Sequence, residues 1–120
     1  MRKKILIIDD DATIGSVIIE YLTDNGYSVH HALSGAQALE MMEKDKPDLV
    51  LLDYMMPVMN GLDVLKEIGI RFPNVVVLML TGAEEMSIAK RAIRLGACGY
   101  VTKPINLELL LKDYINRVMV

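Results

Sequence analysis

The chain has 120 residues, 52% of them hydrophobic, with a net charge of −3 and a single cysteine. A chain of this length makes one ordinary domain and buries roughly two-thirds of the surface its unfolded form exposes, so it needs no disulfide or structural metal to fold. The acidic balance argues against non-specific nucleic-acid binding, Cys98 alone forms no internal disulfide and suits a reducing compartment, and no apolar run approaches the roughly 20 residues of a membrane span.

The opening Met1-Arg2-Lys3-Lys4 leads into only four apolar residues and then three aspartates, which is not a signal peptide. The expectation is a single cytoplasmic domain over residues 1–120. Ile5 to Ile8 is an apolar, branched run too short for a helix and reads as a strand. A helix follows, with Ile14, Val17, Ile18, Tyr21 and Leu22 at helical spacing and Asn25-Gly26 as its stop. Tyr27 to Ala32 is a weaker strand. Ser34 and Gln37 stand three apart in a capping-box pattern that opens a second helix, closed before Pro47. Leu49 to Leu52 is a second continuous apolar strand. The third helix begins near Asn60-Gly61 and carries Leu62, Leu65 and Ile68. Val75 to Leu80 is a strand, and a fourth helix runs from about Glu84 to Leu95-Gly96, with glycine at its C-terminal end. Gly99 to Thr102 is a short strand. The fifth helix starts after Asn106 on a stripe of Leu107, Leu110, Leu111, Tyr114, Ile115 and Val118.

Alternation of five strands with five helices implies an α/β fold, a doubly wound five-stranded parallel sheet with helices on both faces. Continuous apolar runs belong in the middle of such a sheet. Strands one, three and four fit that, whereas Ser28, His30 and His31 mark strand two, and Thr102 marks strand five, as edges. Short right-handed crossovers then favour the order 2-1-3-4-5.

Ligands bind such sheets beyond the C-terminal strand ends, where the winding reverses. Those ends offer Asp9-Asp10-Asp11, Asp53, Thr81-Gly82 and Lys103-Pro104. Clustered carboxylates repel one another unless a cation is present, and Mg2+ with oxygen ligands and retained waters suits them. A carboxylate can serve as nucleophile in phosphoryl transfer, with Lys103 adding a second positive charge.

These residues in this order resemble the receiver domains of bacterial two-component response regulators, over the entire chain. The resemblance rests on the acidic run after strand one, Asp53 with Met56-Pro57 and Asn60-Gly61, Leu80-Thr81-Gly82-Ala83, and Gly99-Tyr100-Val101-Thr102-Lys103-Pro104. It implies the flavodoxin/CheY-like fold and a phosphorylation-controlled switch. Asp53 would accept a phosphoryl group from a sensor histidine kinase or phosphotransfer protein. Asp9, Asp10, Asp53 and the Met55 backbone carbonyl would hold Mg2+, with Mn2+ as a substitute. Lys103 would pair with the phosphate, Thr81 and Tyr100 would switch in response, and the bond before Pro104 would be cis. The helix 4–strand 5–helix 5 face would carry the signal to a downstream effector domain or protein, or to a phosphorylation-dependent homodimer. Lys90, Arg91 and Arg94 share one face of helix four, which reads either as a solvated face or as part of that output surface. Direct nucleic-acid or membrane binding is not expected, nor is turnover as an enzyme beyond the domain assisting its own phosphorylation and dephosphorylation. Apolar Met55 and Ala83 beside the site imply moderate to slow self-dephosphorylation.

Other readings compete. Asp9-x-Asp11-x-Thr13 resembles the nucleophile motif of haloacid-dehalogenase-like phosphatases, with Asp9 the nucleophile and Asp11 the acid/base. Asp11 otherwise reads as a helix cap, Thr81 as a cap for helix four, Lys103 as a solvated lysine and Tyr100 as an edge-strand aromatic. His30 and His31 point to opposite faces of a strand, which disfavours a shared metal. Cys98 reads as a small packed side chain.

Overall fold

The computed structural model describes residues 3–82 and 85–119. The strands are β1 (Lys4–Ile8), β2 (Ser28–Ala32), β3 (Leu49–Asp53), β4 (Val76–Thr81) and β5 (Gly99–Thr102). They alternate with α1 (Ala12–Asp24), α2 (Gly35–Lys44), α3 (Gly61–Arg71), α4 (Met86–Arg94) and a last helix, α5, built from Leu107–Leu109, Leu110–Ile115 and Asn116–Val118. All pairings are parallel, and the order is β2-β1-β3-β4-β5, as the strand compositions predict.

Every residue of β3 is buried, whereas β2 and β5 are only partly covered, as expected of edges. Successive side chains of a strand face opposite ways, and here each face has its own core. Leu6, Ile8, Val50, Leu52, Val77 and Met79 pack with α2, α3 and Ala92 of α4. Ile5, Ile7, Leu49, Leu51, Leu78 and Leu80 pack with Ile18 and Leu22 of α1 and Leu110, Leu111 and Ile115 of α5.

Local chemistry sets the helix starts. Asp11 caps α1, its carboxylate accepting from the N–H groups of Thr13 and Ile14. Ser34 caps α2 by accepting from Gln37 N–H, and Gln37 returns a bond to Leu33 N–H, one residue before the cap. Asn60 and Asp63 form a full capping box on α3. The start expected for helix four at Glu84 lies outside the described residues, and the described helix begins at Met86.

The last helix departs from a plain α pattern. Its middle, Leu110–Ile115, takes wide i→i+5 turns. Such a turn brings Leu110 and Ile115 onto one face, and both are fully buried.

Candidate phosphoryl and cation site

The sheet delivers its polar residues to one rim. Among the described residues, the buried polar side chains are Asp9, Asp53 and Thr81, and they stand at or just past the ends of β1, β3 and β4. One carboxylate oxygen from each of Asp9, Asp10 and Asp53 lies within 4.8 Å of the others, with Asp10 exposed and the other two buried. Lys103, just past β5, reaches over to place Nζ 2.7 Å from Asp53 Oδ1. Its backbone N–H donates to Thr81 O at 2.7 Å, which ties β5's exit to β4's end.

Burial pushes the Asp53 carboxyl above its ordinary value, reinforced by the charges of Asp9 and Asp10 and opposed by the Lys103 hydrogen bond. Burial likewise pushes Asp9 up, against a hydrogen bond from Asp11 N–H and the charge of Lys103. Burial works against the Lys103 ammonium, but the bond to Asp53 and the charges of Asp53, Asp9 and Glu85 outweigh it and hold Lys103 above its usual range. Positive charge is therefore in short supply. Asp9 Oδ2 and Thr81 Oγ1 are buried with no hydrogen-bond partner, a costly arrangement unless something else binds there.

The acceptor strand's exit is shaped by Gly61. Its N–H donates to Tyr54 O at 3.0 Å, and a Cβ there would lie 2.6 Å from Asp53 O and 2.8 Å from Tyr54 Cα. Only glycine lets α3 start so close to the turn that follows Asp53. The loop between them shares a shallow cleft with Asp10, lined by Tyr54, Met55, Met56, Pro57 and Asn60. Met55 exposes its side chain, and Val58 sits fully exposed at φ +68°, a strained conformation for a β-branched residue.

Comparison with known proteins settles the lineage. The family model for the response regulator receiver domain matches residues 5–115. The chain belongs to this family. It is 35% identical over 108 residues to sporulation initiation phosphotransferase F of Bacillus subtilis, covering 90% of this chain and 87% of that protein. It is 37% identical over 111 residues to response regulator MprA of Mycobacterium bovis, covering 92% of this chain and 48% of MprA, so it spans about half the length of that relative. Among solved structures, the receiver domain of NtrX from Brucella abortus superposes with a TM-score of 0.91 at 30% identity, covering 96% of this chain and 97% of the other. Vibrio cholerae chemotaxis protein CheY4 gives 0.89 at 33%, covering 98% and 99%. Receiver domains work in phosphorelay signalling and generally bind Mg2+ at an acidic pocket.

The receiver brings Asp9, Asp10, Asp53, Thr81 and Lys103 to one rim, and the Lys103-Pro104 bond is cis. Tyr100 is partly buried against the core face that holds Met79 and Ala92. Ala83 lies outside the described residues. Thr81 does not cap α4, whose cap position is Glu85 with no side-chain bond, and Glu85 instead accepts from Gly82 N–H at 2.6 Å. The phosphatase alternative finds no support: Asp11, its acid/base, is committed to capping α1, and the matched family is the receiver. Cys98 is exposed rather than packed, although burial pushes its thiol up, away from the reactive thiolate. No helix of the described residues is long and apolar enough to cross a membrane.

Reading of the sequence missed the grip on Asp9. Its N–H donates to Ala32 O at 3.1 Å, and its carbonyl lies 2.8 Å from His31 Nε2. The signal was Gly15 in the interior of α1, where glycine costs up to about 1 kcal/mol relative to alanine and needs a reason.

Proposed function

We propose that residues 1–120 act as one receiver domain in which Asp53 is the phosphoacceptor. The observation that carries this reading is the buried Asp53 carboxylate, paired with Lys103 at 2.7 Å and adjoined by Asp9, Asp10 and a partnerless Thr81 hydroxyl. The name of the relative from Bacillus subtilis, a phosphotransferase, supports the same chemistry.

A divalent cation fits the donor set, because three carboxylates converge while Asp9 Oδ2 lacks a partner. Asp9, Asp10, Asp53 and the Met55 backbone carbonyl would hold Mg2+ or Mn2+, which when bound neutralises charge on phosphoryl oxygens. One Asp53 oxygen attacks the phosphorus of a phosphohistidine on a sensor kinase or phosphotransfer protein. The O–P bond forms as the N–P bond breaks, and that electron pair returns to the imidazole. Lys103 keeps its proton and sets positive charge against the phosphoryl group. The Thr81 hydroxyl donates to a phosphoryl oxygen, which ends its buried isolation. Tyr100 then shifts, and the change passes to the face made by α4, β5 and α5. Lys90, Arg91 and Arg94 are exposed there for an effector or a second phosphorylated copy. The protein does not turn over like an enzyme, but it assists its own phosphorylation and its own moderate to slow dephosphorylation. Met55 and Ala83 carry no group to position an attacking water.

The test is intact mass after incubation with acetyl phosphate and Mg2+, followed by peptide mapping. The expected result is one phosphoryl adduct on Asp53, lost without Mg2+ and in Asp53→Asn. Lys103→Ala should fold but uncouple the adduct from any change at Tyr100. An adduct on Asp9, or steady release of phosphate with Asp53 dispensable, would overturn the proposal.

A further inference from the structure

His31 belongs to edge strand β2, and its side chain turns inward while His30 is exposed. Its Nε2 lies 2.8 Å from the backbone carbonyl of Asp9. A carbonyl only accepts, so Nε2 carries the hydrogen and donates. The ring fills the space above Gly15: a Cβ on that residue would lie 2.6 Å from Nδ1 and 2.7 Å from Nε2. The helix residue is therefore small because the strand residue is large, and the two hold the ring in one place.

The grip has a consequence for the carboxylates. Asp9 is held by both of its backbone polar groups, N–H to Ala32 O at 3.1 Å and carbonyl to His31. Its own Oδ1 accepts from Asp11 N–H at 2.9 Å. Three restraints leave Oδ2 as the atom without a partner. The carbonyl of Asp9 and the N–H of Asp10 share one planar peptide unit, so pinning the first fixes where Asp10 begins. We infer that His31, seated against Gly15, is a positioning residue that orients the Asp9–Asp10 turn for the divalent cation. This rests on the site reading proposed above. Outer groups that orient metal ligands typically set affinity by about ten- to a hundredfold.

The experiment is calorimetric titration of Mg2+ into the Mg2+-free chain, with urea unfolding of the same samples. His31→Leu keeps bulk but loses the donor, and should weaken Mg2+ binding about tenfold. His31→Gln restores an N–H donor and should recover most of that loss. Gly15→Ala should displace the ring and weaken binding in the wild-type background, with no such effect beside His31→Ala. If His31→Leu does not fold, the same contrast is read between His31→Gln and Gly15→Ala. Mg2+ affinity in His31→Leu equal to wild type, whatever its stability, overturns the inference while leaving the site reading intact. Equal weakening in His31→Gln and His31→Leu overturns it too, because the hydrogen bond would then do nothing. A wild-type chain that binds no Mg2+ overturns the site reading and this inference with it.

Discussion

The two ends of the sheet are built on opposite terms. At the N-terminal end, Lys4 Nζ pairs with Asp45 at 2.6 Å and Lys4 N–H donates to Asp48 at 2.8 Å, with both charged side chains half in water. At the C-terminal end, Asp9 and Asp53 are 1% and 2% exposed and Thr81 is fully buried, and two of their oxygens have no partner. One end satisfies its polar groups with solvent and neighbours. The other buries them and leaves Asp9 Oδ2 and Thr81 Oγ1 without a protein partner, which prepares it for a cation and a phosphoryl group. The apolar strands between them supply the stability that makes this tolerable.

The largest effect should come from that middle layer. Leu51→Ala, at a fully buried position on β3, should cost about 3 kcal/mol in urea unfolding, with Mg2+ affinity of the folded protein unchanged. A comparable loss of Mg2+ affinity would erase the distinction between layer and rim. Asp9→Asn should act with the opposite sign: in Mg2+-free buffer it should stabilise the domain by about 1 kcal/mol, because it removes a buried charge whose Oδ2 has no partner. Destabilisation by this change would mean that the C-terminal end is as well satisfied as the other.

The pH dependence sharpens the same contrast. Burial raises the folded-state values of Asp9 and Asp53 above the 3.8 of the unfolded chain, so between those values the folded protein binds more protons. The stability they contribute is fully present below 3.8 and is lost as pH rises through the folded values. Unfolding in Mg2+-free buffer should show this decline in wild type and a shallower one in Asp9→Asn. Relief of the strained turn by Val58→Gly should add roughly 0.5–1 kcal/mol, less than the full left-handed penalty because glycine also loosens the unfolded chain. Smallest of all, Lys4→Ala should cost under about 0.5 kcal/mol, since its ion pair with Asp45 is exposed.

Much of this was legible in the residues. Val50 and Leu52 face one way and Leu49 and Leu51 the other, and the unbroken run they form announced a strand covered on both sides. The polar residues of β2 announced an edge. Once the order was fixed, Asp53, Thr81 and Lys103 had to meet Asp9 and Asp10, because parallel strands end on one rim. What stayed hidden depends on contacts between distant segments. The apolar stripe of the last helix announced a helix but not the wide turns of Leu110–Ile115. The meeting of His31 with Gly15 and Asp9 needs β2 laid beside β1, so each residue alone looked ordinary. Cys98, expected to pack as a small side chain, stands exposed in the turn before β5.

Urea unfolding of wild type and Asp9→Asn across a Mg2+ series tests the central claim most directly. The wild-type unfolding free energy should climb by about 1.4 kcal/mol when Mg2+ stands tenfold above its Kd. Asp9→Asn should start higher and climb far less, so that the two curves converge as Mg2+ rises. A wild-type curve that is flat in Mg2+, or one that Asp9→Asn follows in parallel, would contradict the account of a rim held ready for a cation.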